Sequence, residues 1–170
     1  MMKRFFSILI AIPLIALCFS SCDSNDNDSN VPEQSLVSGT EFVGSTTITI
    51  DSSVSTKADS DNAYVQDPAT YKVDLTDETL TLTLEKAQMS SAMPVQVDIV
   101  IPGISYTMKD ENYTFSGDNI VPTYLGKPFA QYAISSLSGN IKLMDDNTFQ
   151  LTVNMIMGSY DVFILANSVN

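Results

Sequence analysis

Residues 141–157 read IKLMDDNTFQLTVNMIM. Ile141 and Leu143 flank Lys142 on one side of Asp145-Asp146-Asn147. On the other side Phe149, Leu151, Val153, Met155 and Met157 alternate with Gln150, Thr152 and Asn154. Successive strand side chains point to opposite faces, so a period of two predicts two strands, each with one dry and one wet face. Asp-Asp-Asn between them is turn chemistry and predicts a hairpin. Parity places Met155 and Met157 on the inward face with Phe149. Phe149, Leu151, Val153, Met155 and Met157 are therefore the expected lining of a core or pocket. Methionine fills irregular apolar gaps and suits tolerant binding surfaces.

The same period runs back to Val43. Ile48 and Ile50 alternate with threonines, as do Leu80, Leu82 and Leu84. Tyr71, Val73 and Leu75 alternate with Lys72 and Asp74, and Val95, Val97, Ile99 and Ile101 with Gln96 and Asp98. Turn chemistry separates the runs at Asp59–Asn62, Pro102-Gly103, Ser116–Asn119 and Gly126-Lys127-Pro128. Tyr160 to Ala166 is apolar on both parities, which predicts a strand covered on both faces or one that closes a barrel. About eight or nine strands and no helix are expected. A chain of sequential hairpins must hide its edges, so an all-β, antiparallel up-and-down barrel of about eight strands is predicted, with a β-sandwich as the alternative.

Several of these segments carry a resemblance. Ser38-Gly39-Thr40 with Phe42 and Gly44-Ser45-Thr46 open the region. Val97-Asp98-Ile99, Ile101-Pro102-Gly103-Ile104 and Leu137-Ser138-Gly139-Asn140-Ile141 follow, and Tyr160-Asp161-Val162-Phe163 closes it. Together they resemble the calycin-like (lipocalin-like) domains of Bacteroidota-type lipoproteins over residues 38–168. The resemblance implies an eight-stranded barrel and an envelope location, but no particular ligand or reaction.

The N-terminus reads as an address. Lys3 and Arg4 precede an apolar run from Phe5 to Phe19, then Ser20, Ser21 and Cys22. That order matches the basic, apolar and small-residue regions of a secretory signal. The run is shorter than the ~20 apolar residues of a membrane span. Phe19-Ser20-Ser21-Cys22 resembles a lipobox, with Phe19 where Leu or Val is usual. Cys18 fits less well, because Leu17 precedes it. Cys22 is thus the expected lipid-bearing mature N-terminus, and stable anchoring takes more than one acyl chain. A lone thiol in an oxidising envelope invites mispairing, and acylation removes it. The expected organisation is a signal peptide at 1–21, an acidic tether at 22–37 and a barrel domain at 38–170. The tether's Asp23-x-Asn25-x-Asn27 echoes a calcium loop. Asp28 stands where Gly is needed, however, and Gln34 where the bidentate Glu belongs.

The residue inventory bounds the chemistry. The chain of 170 residues has Lys+Arg 8, Asp+Glu 20, His 0 and Trp 0, for a formal net charge of −12. Loss of Lys3 and Arg4 with the signal makes it more acidic and leaves no arginine. No basic face is available for nucleic acid. Without histidine there is no Ser–His or Cys–His pair, and the commonest metal ligand is missing. The adjacent acids Asp77-Glu78, Asp110-Glu111 and Asp145-Asp146 fall in expected turns, and mid-strand Asp98 should face water. Tyr106 and Tyr113 flank the Lys109–Asn112 hairpin and are expected to pack against the barrel wall. No catalytic residue, cofactor or metal site is expected.

The expected protein is a non-enzymatic lipoprotein of the bacterial envelope and outer membrane, held to the membrane through Cys22. It is expected to bind a small apolar or amphipathic ligand in its barrel. The alternatives are a structural or protein-interaction surface module with a filled core, or a glycan-binding accessory protein, which calls for a planar row of exposed tyrosines.

Overall fold

The computed structural model describes residues 35–50 and 63–169. Ten strands follow in order: β1 Thr40–Ile50, β2 Tyr64–Leu75, β3 Thr79–Ala87, β4 Val97–Lys109, β5 Asn112–Gly117, β6 Thr123–Tyr124, β7 Lys127–Pro128, β8 Ile134–Leu143, β9 Phe149–Met157 and β10 Tyr160–Ser168. A single 3₁₀ turn, Ala130–Tyr132, precedes β8. Eight strands close into an antiparallel ring, β1-β2-β3-β4-β5-β8-β9-β10 and back to β1. The short hairpin β6–β7 lies outside the ring and touches it through Val100 opposite Thr123. The barrel expectation holds and the sandwich does not. Closure leaves none of the eight ring strands with an unpaired edge.

One end of the barrel is built from tight turns. Asp110 and Glu111 join β4 to β5 with φ of 49° and 60°, both in the left-handed region that a two-residue hairpin turn requires. Asp145–Asn147 joins β8 to β9 as expected, with Asn147 at φ 62°. The other end carries the longer connections, residues 88–96 and 118–133, together with the Gly158-Ser159 turn. Two expectations are corrected. Pro102-Gly103 is no turn but a bulge inside β4: Leu80 faces Ile104 while Leu82 faces Ile101, so β4 carries one extra residue. Gly103 takes φ 70° there, and the bulge keeps Ile101 and Ile104, three positions apart, both pointing inward. Val95 lies outside β4 and is exposed.

Alternation fills the ring. Phe42, Val73, Leu80, Leu82, Ile99, Ile101, Ile104, Ile134, Ile141, Leu151, Val153, Met157 and Ile164 are all fully buried. At the tight-turn end Leu36 is buried beneath them, its N–H donating to Tyr113 Oη at 3.2 Å. Gly39 N–H donates to Val73 O at 2.8 Å and Leu75 N–H to Ser38 Oγ at 2.9 Å, so the segment leading into β1 is fastened at this end. At the other end Tyr64, Met93, Ile120, Tyr124, Tyr132 and Tyr160 pack, half-buried, on the core. Gln88 secures the loop there. It accepts from Tyr64 Oη at 2.9 Å, donates from Nε2 to Met93 O at 2.7 Å, and its N–H donates to Gln66 Oε1 at 3.0 Å.

Candidate functional site

In a small barrel a ligand has its place in the interior. Phe149, Leu151, Val153, Met155 and Met157 all point inward as parity predicts, none more than 4% exposed. Leu80, Leu82, Ile101 and Ile104 face them with no accessible surface, so no water-sized space touches those side chains. A crevice beside Thr46, Tyr71 and Met89 has room for about 10 Å³, one water's worth. An apolar ligand inside the ring has to displace side chains packed at interior density. Gly139 shows how tight that packing is. A β-carbon there lies 2.4 Å from the Phe115 ring and 2.5 Å from Thr152 O, so the missing side chain is the slot that Phe115 occupies.

Besides the Tyr113 hydroxyl that takes Leu36 N–H, polar side-chain chemistry inside comes down to one pair. Thr46 is the one buried polar residue among those described, and its Oγ1 hydrogen-bonds Tyr71 Oη across β1 and β2. Burial pushes the Tyr71 hydroxyl up to about 12, against the lowering effect of Thr46. Asp98 faces out as expected, and its Oδ1 accepts Lys86 N–H at 2.8 Å. Asp77, Glu78, Asp110, Asp145 and Asp146 are exposed, and Glu111 is half-exposed. Asp146 accepts from Thr148 Oγ1 at 2.6 Å and Thr148 N–H at 3.0 Å, which holds its carboxyl below the usual range. Among the described residues no three of His, Cys, Asp and Glu gather as metal ligands, and no helix is long and apolar enough to cross a membrane. Cys22, the signal, most of the tether with its calcium-like run and the Asp59–Asn62 turn lie outside the described residues.

The tyrosines are mostly structural. Tyr113 is buried, and Tyr106 donates to Thr76 O at 2.8 Å, so both pack on the wall as expected. At the long-loop end Tyr124, Phe129, Tyr132 and Tyr160 form a chain of ring contacts 4.5 to 6.1 Å apart. The first two contacts are tilted by 39° and 51°, so these rings do not present the planar row that a stacking platform needs. Burial raises the Tyr132 hydroxyl, with Tyr160 adding to it.

Larger openings lie on the outside, one of them a hollow of about 450 Å³ beside Asp145, Asp146 and Thr148 at the β8–β9 turn. A groove of about 270 Å³ crosses the outer face of β8, β9, β10 and β1. Ser136 and Ser138 come from β8, Asn154 and Ile156 from β9, Asp161 and Phe163 from β10, and Thr47 and Thr49 from β1. Register explains the grouping: Phe163 sits between Thr47 and Asn154, and Asn154 faces Ser138. Phe163 is 39% exposed, and Leu165 and Val43 extend the apolar stripe along the same face. Only Met155 of the expected pocket residues borders this groove. The apolar character of Tyr160–Ala166 on both parities was the trace of it. β10 closes the ring, but its outer face is uncovered within the described residues. The groove is built from short polar side chains on the wet parity, which carry no periodic signal.

The chain matches no family model, no curated protein and no solved structure.

Proposed function

We propose that this is a non-enzymatic, lipid-anchored envelope lipoprotein of the calycin-like type that works through its outer surface rather than through an internal chamber. The packed interior carries this reading: side chains occupy the space that a lipocalin-type ligand needs. The sequence supports the address, with Lys3, Arg4, the apolar run and the lipobox-like residues ending at Cys22. The anchoring tether then enters the barrel at the tight-turn end, where Leu36 is buried. The absence of histidine argues for binding over catalysis.

Native mass spectrometry of the full chain purified from membranes tests both parts. The expected species starts at an acylated Cys22 and carries no stoichiometric apolar passenger. An unmodified Cys22 overturns the anchor. A retained apolar molecule overturns the surface reading in favour of a ligand held inside the barrel.

A further inference from the structure

We propose that the outer groove of β8, β9, β10 and β1 binds a short stretch of a neutral polyhydroxylated chain, a glycan without acidic sugars. The inference rests on the surface reading above and names its ligand class.

Three observations carry it. The first is charge. Among the described residues Asp161 is the one ionised side chain lining the groove of a strongly acidic protein, so an anion meets repulsion and a cation finds a single carboxylate. The second is unspent hydrogen bonding. The hydroxyls of Thr47, Ser136 and Ser138, the Asn154 amide and the Asp161 carboxylate make no hydrogen bond with other described residues. Hydroxyls and amides both donate and accept, which is what a ligand of hydroxyl groups requires. The third is Phe163, an exposed ring among these groups. Its electron-rich face packs against the C–H side of a sugar ring while the neighbouring polar groups take the hydroxyls.

Shape sets the length. The volume is just below the ~300 Å³ at the small end of ligand pockets. The groove lies open across four strands, so it suits a few units within a longer chain rather than an enclosed small molecule.

Calorimetry of the full lipidated chain in detergent, titrated with dextran, mannan, xylan and polygalacturonate, tests the inference. Binding to at least one neutral polymer and none to polygalacturonate is expected. Phe163→Ala weakens binding roughly tenfold, the scale of one lost aromatic contact. Asn154→Ala weakens it less, and Glu85→Gln, on the opposite side of the barrel, leaves it unchanged. Absence of binding to every neutral polymer, equal binding to polygalacturonate, or full binding by Phe163→Ala overturns the inference. Native mass spectra of the same samples separate the two readings. Failed titrations with an empty barrel remove only the glycan. An apolar molecule held by both wild type and Phe163→Ala removes the surface reading as well.

Discussion

The two halves of the barrel wall share one interior and differ outside. On β2 to β5 the strands carry Asp67, Lys72, Asp74, Glu85, Lys86, Asp98 and Lys109. On β8, β9, β10 and β1 they carry only Glu41, Lys142 and Asp161, and expose Val43, Ile50, Ile156, Phe163 and Leu165, against Val65 and Met108 on the first half. Strand charges often serve to blunt sheet edges, but a closed ring has none to blunt. The uneven spread of charge is therefore not an edge device. Alternation makes this possible, because the inward residues fix closure while the outward ones vary independently. The charged half suits contact with water. The neutral half is neutral only in being sparsely charged: its two acids and one lysine sum to −1, as do the four acids and three lysines of the charged half.

If the halves differ only outside, their interiors should fail alike. Leu151→Ala on the neutral half and Leu82→Ala on the charged half each remove a fully buried side chain. Both are expected to lose about 2–5 kcal/mol in denaturant unfolding. A much smaller loss at Leu151 alone means that β9 lines loose space, and the difference between the halves then extends inside. The next effect lies on the seam where β5 meets β8. Gly139→Ala pushes a methyl into the Phe115 ring and is expected to lose about 1–3 kcal/mol by overpacking. Phe115→Leu in the same chain should return part of that loss. Additive losses mean that the strain comes from Thr152 O rather than from the ring.

The interior was legible in the sequence because a period of two is a physical consequence of burial on one face. Ile141 to Met157 is enough to orient two strands and their turn. Pro102-Gly103 misled because the same dipeptide serves a turn or a bulge, and only the partner register separates them. Val95 kept the parity of Val97, but it lies beyond the last β3–β4 pair, Ala87 with Val97. The groove was illegible for a different reason. Thr47 on β1 lies more than 80 positions before Ser138 on β8 and Asn154 on β9, and ring closure through β10 brings it to their face. Phe163 and Leu165 were visible as apolar residues on the wrong parity, without an indication of what surrounds them.

The other seam, β1 against β2, is held by the Thr46–Tyr71 hydrogen bond. Tyr71→Phe strands the threonine hydroxyl and is expected to lose about 1 kcal/mol. Burial of the same tyrosine, against the lowering effect of the bond, also predicts a pH response. Tyr71 titrates near 10.0 when unfolded and at about 12 when folded, so between these values the unfolded chain binds fewer protons. Stability is therefore full below pH 10 and falls as pH rises towards 12, by about 2–3 kcal/mol in all. Tyr71→Phe should flatten that part of the alkaline limb. An unchanged limb assigns it to other tyrosines.

The smallest effect concerns the charged face itself. Lys72 Nζ lies 3.3 Å from Asp74 Oδ1, with both side chains about two-fifths exposed. Such a pair contributes less than about 1 kcal/mol, because water screens it and two side chains lose freedom to hold it. Removing either end breaks the same contact, yet the two changes should not be equal. Lys72→Ala leaves an acidic protein with one cation fewer, whereas Asp74→Asn relieves some of the acid excess. Lys72→Ala should thus lower the melting temperature slightly more at low salt. In 1 M salt, where screening acts within ~3 Å, the two should converge. Phe163→Ser on the neutral half should show no salt dependence at all. A salt-dependent shift there would mean that the neutral face feels the charge of its neighbours, and that the halves are not electrostatically separate.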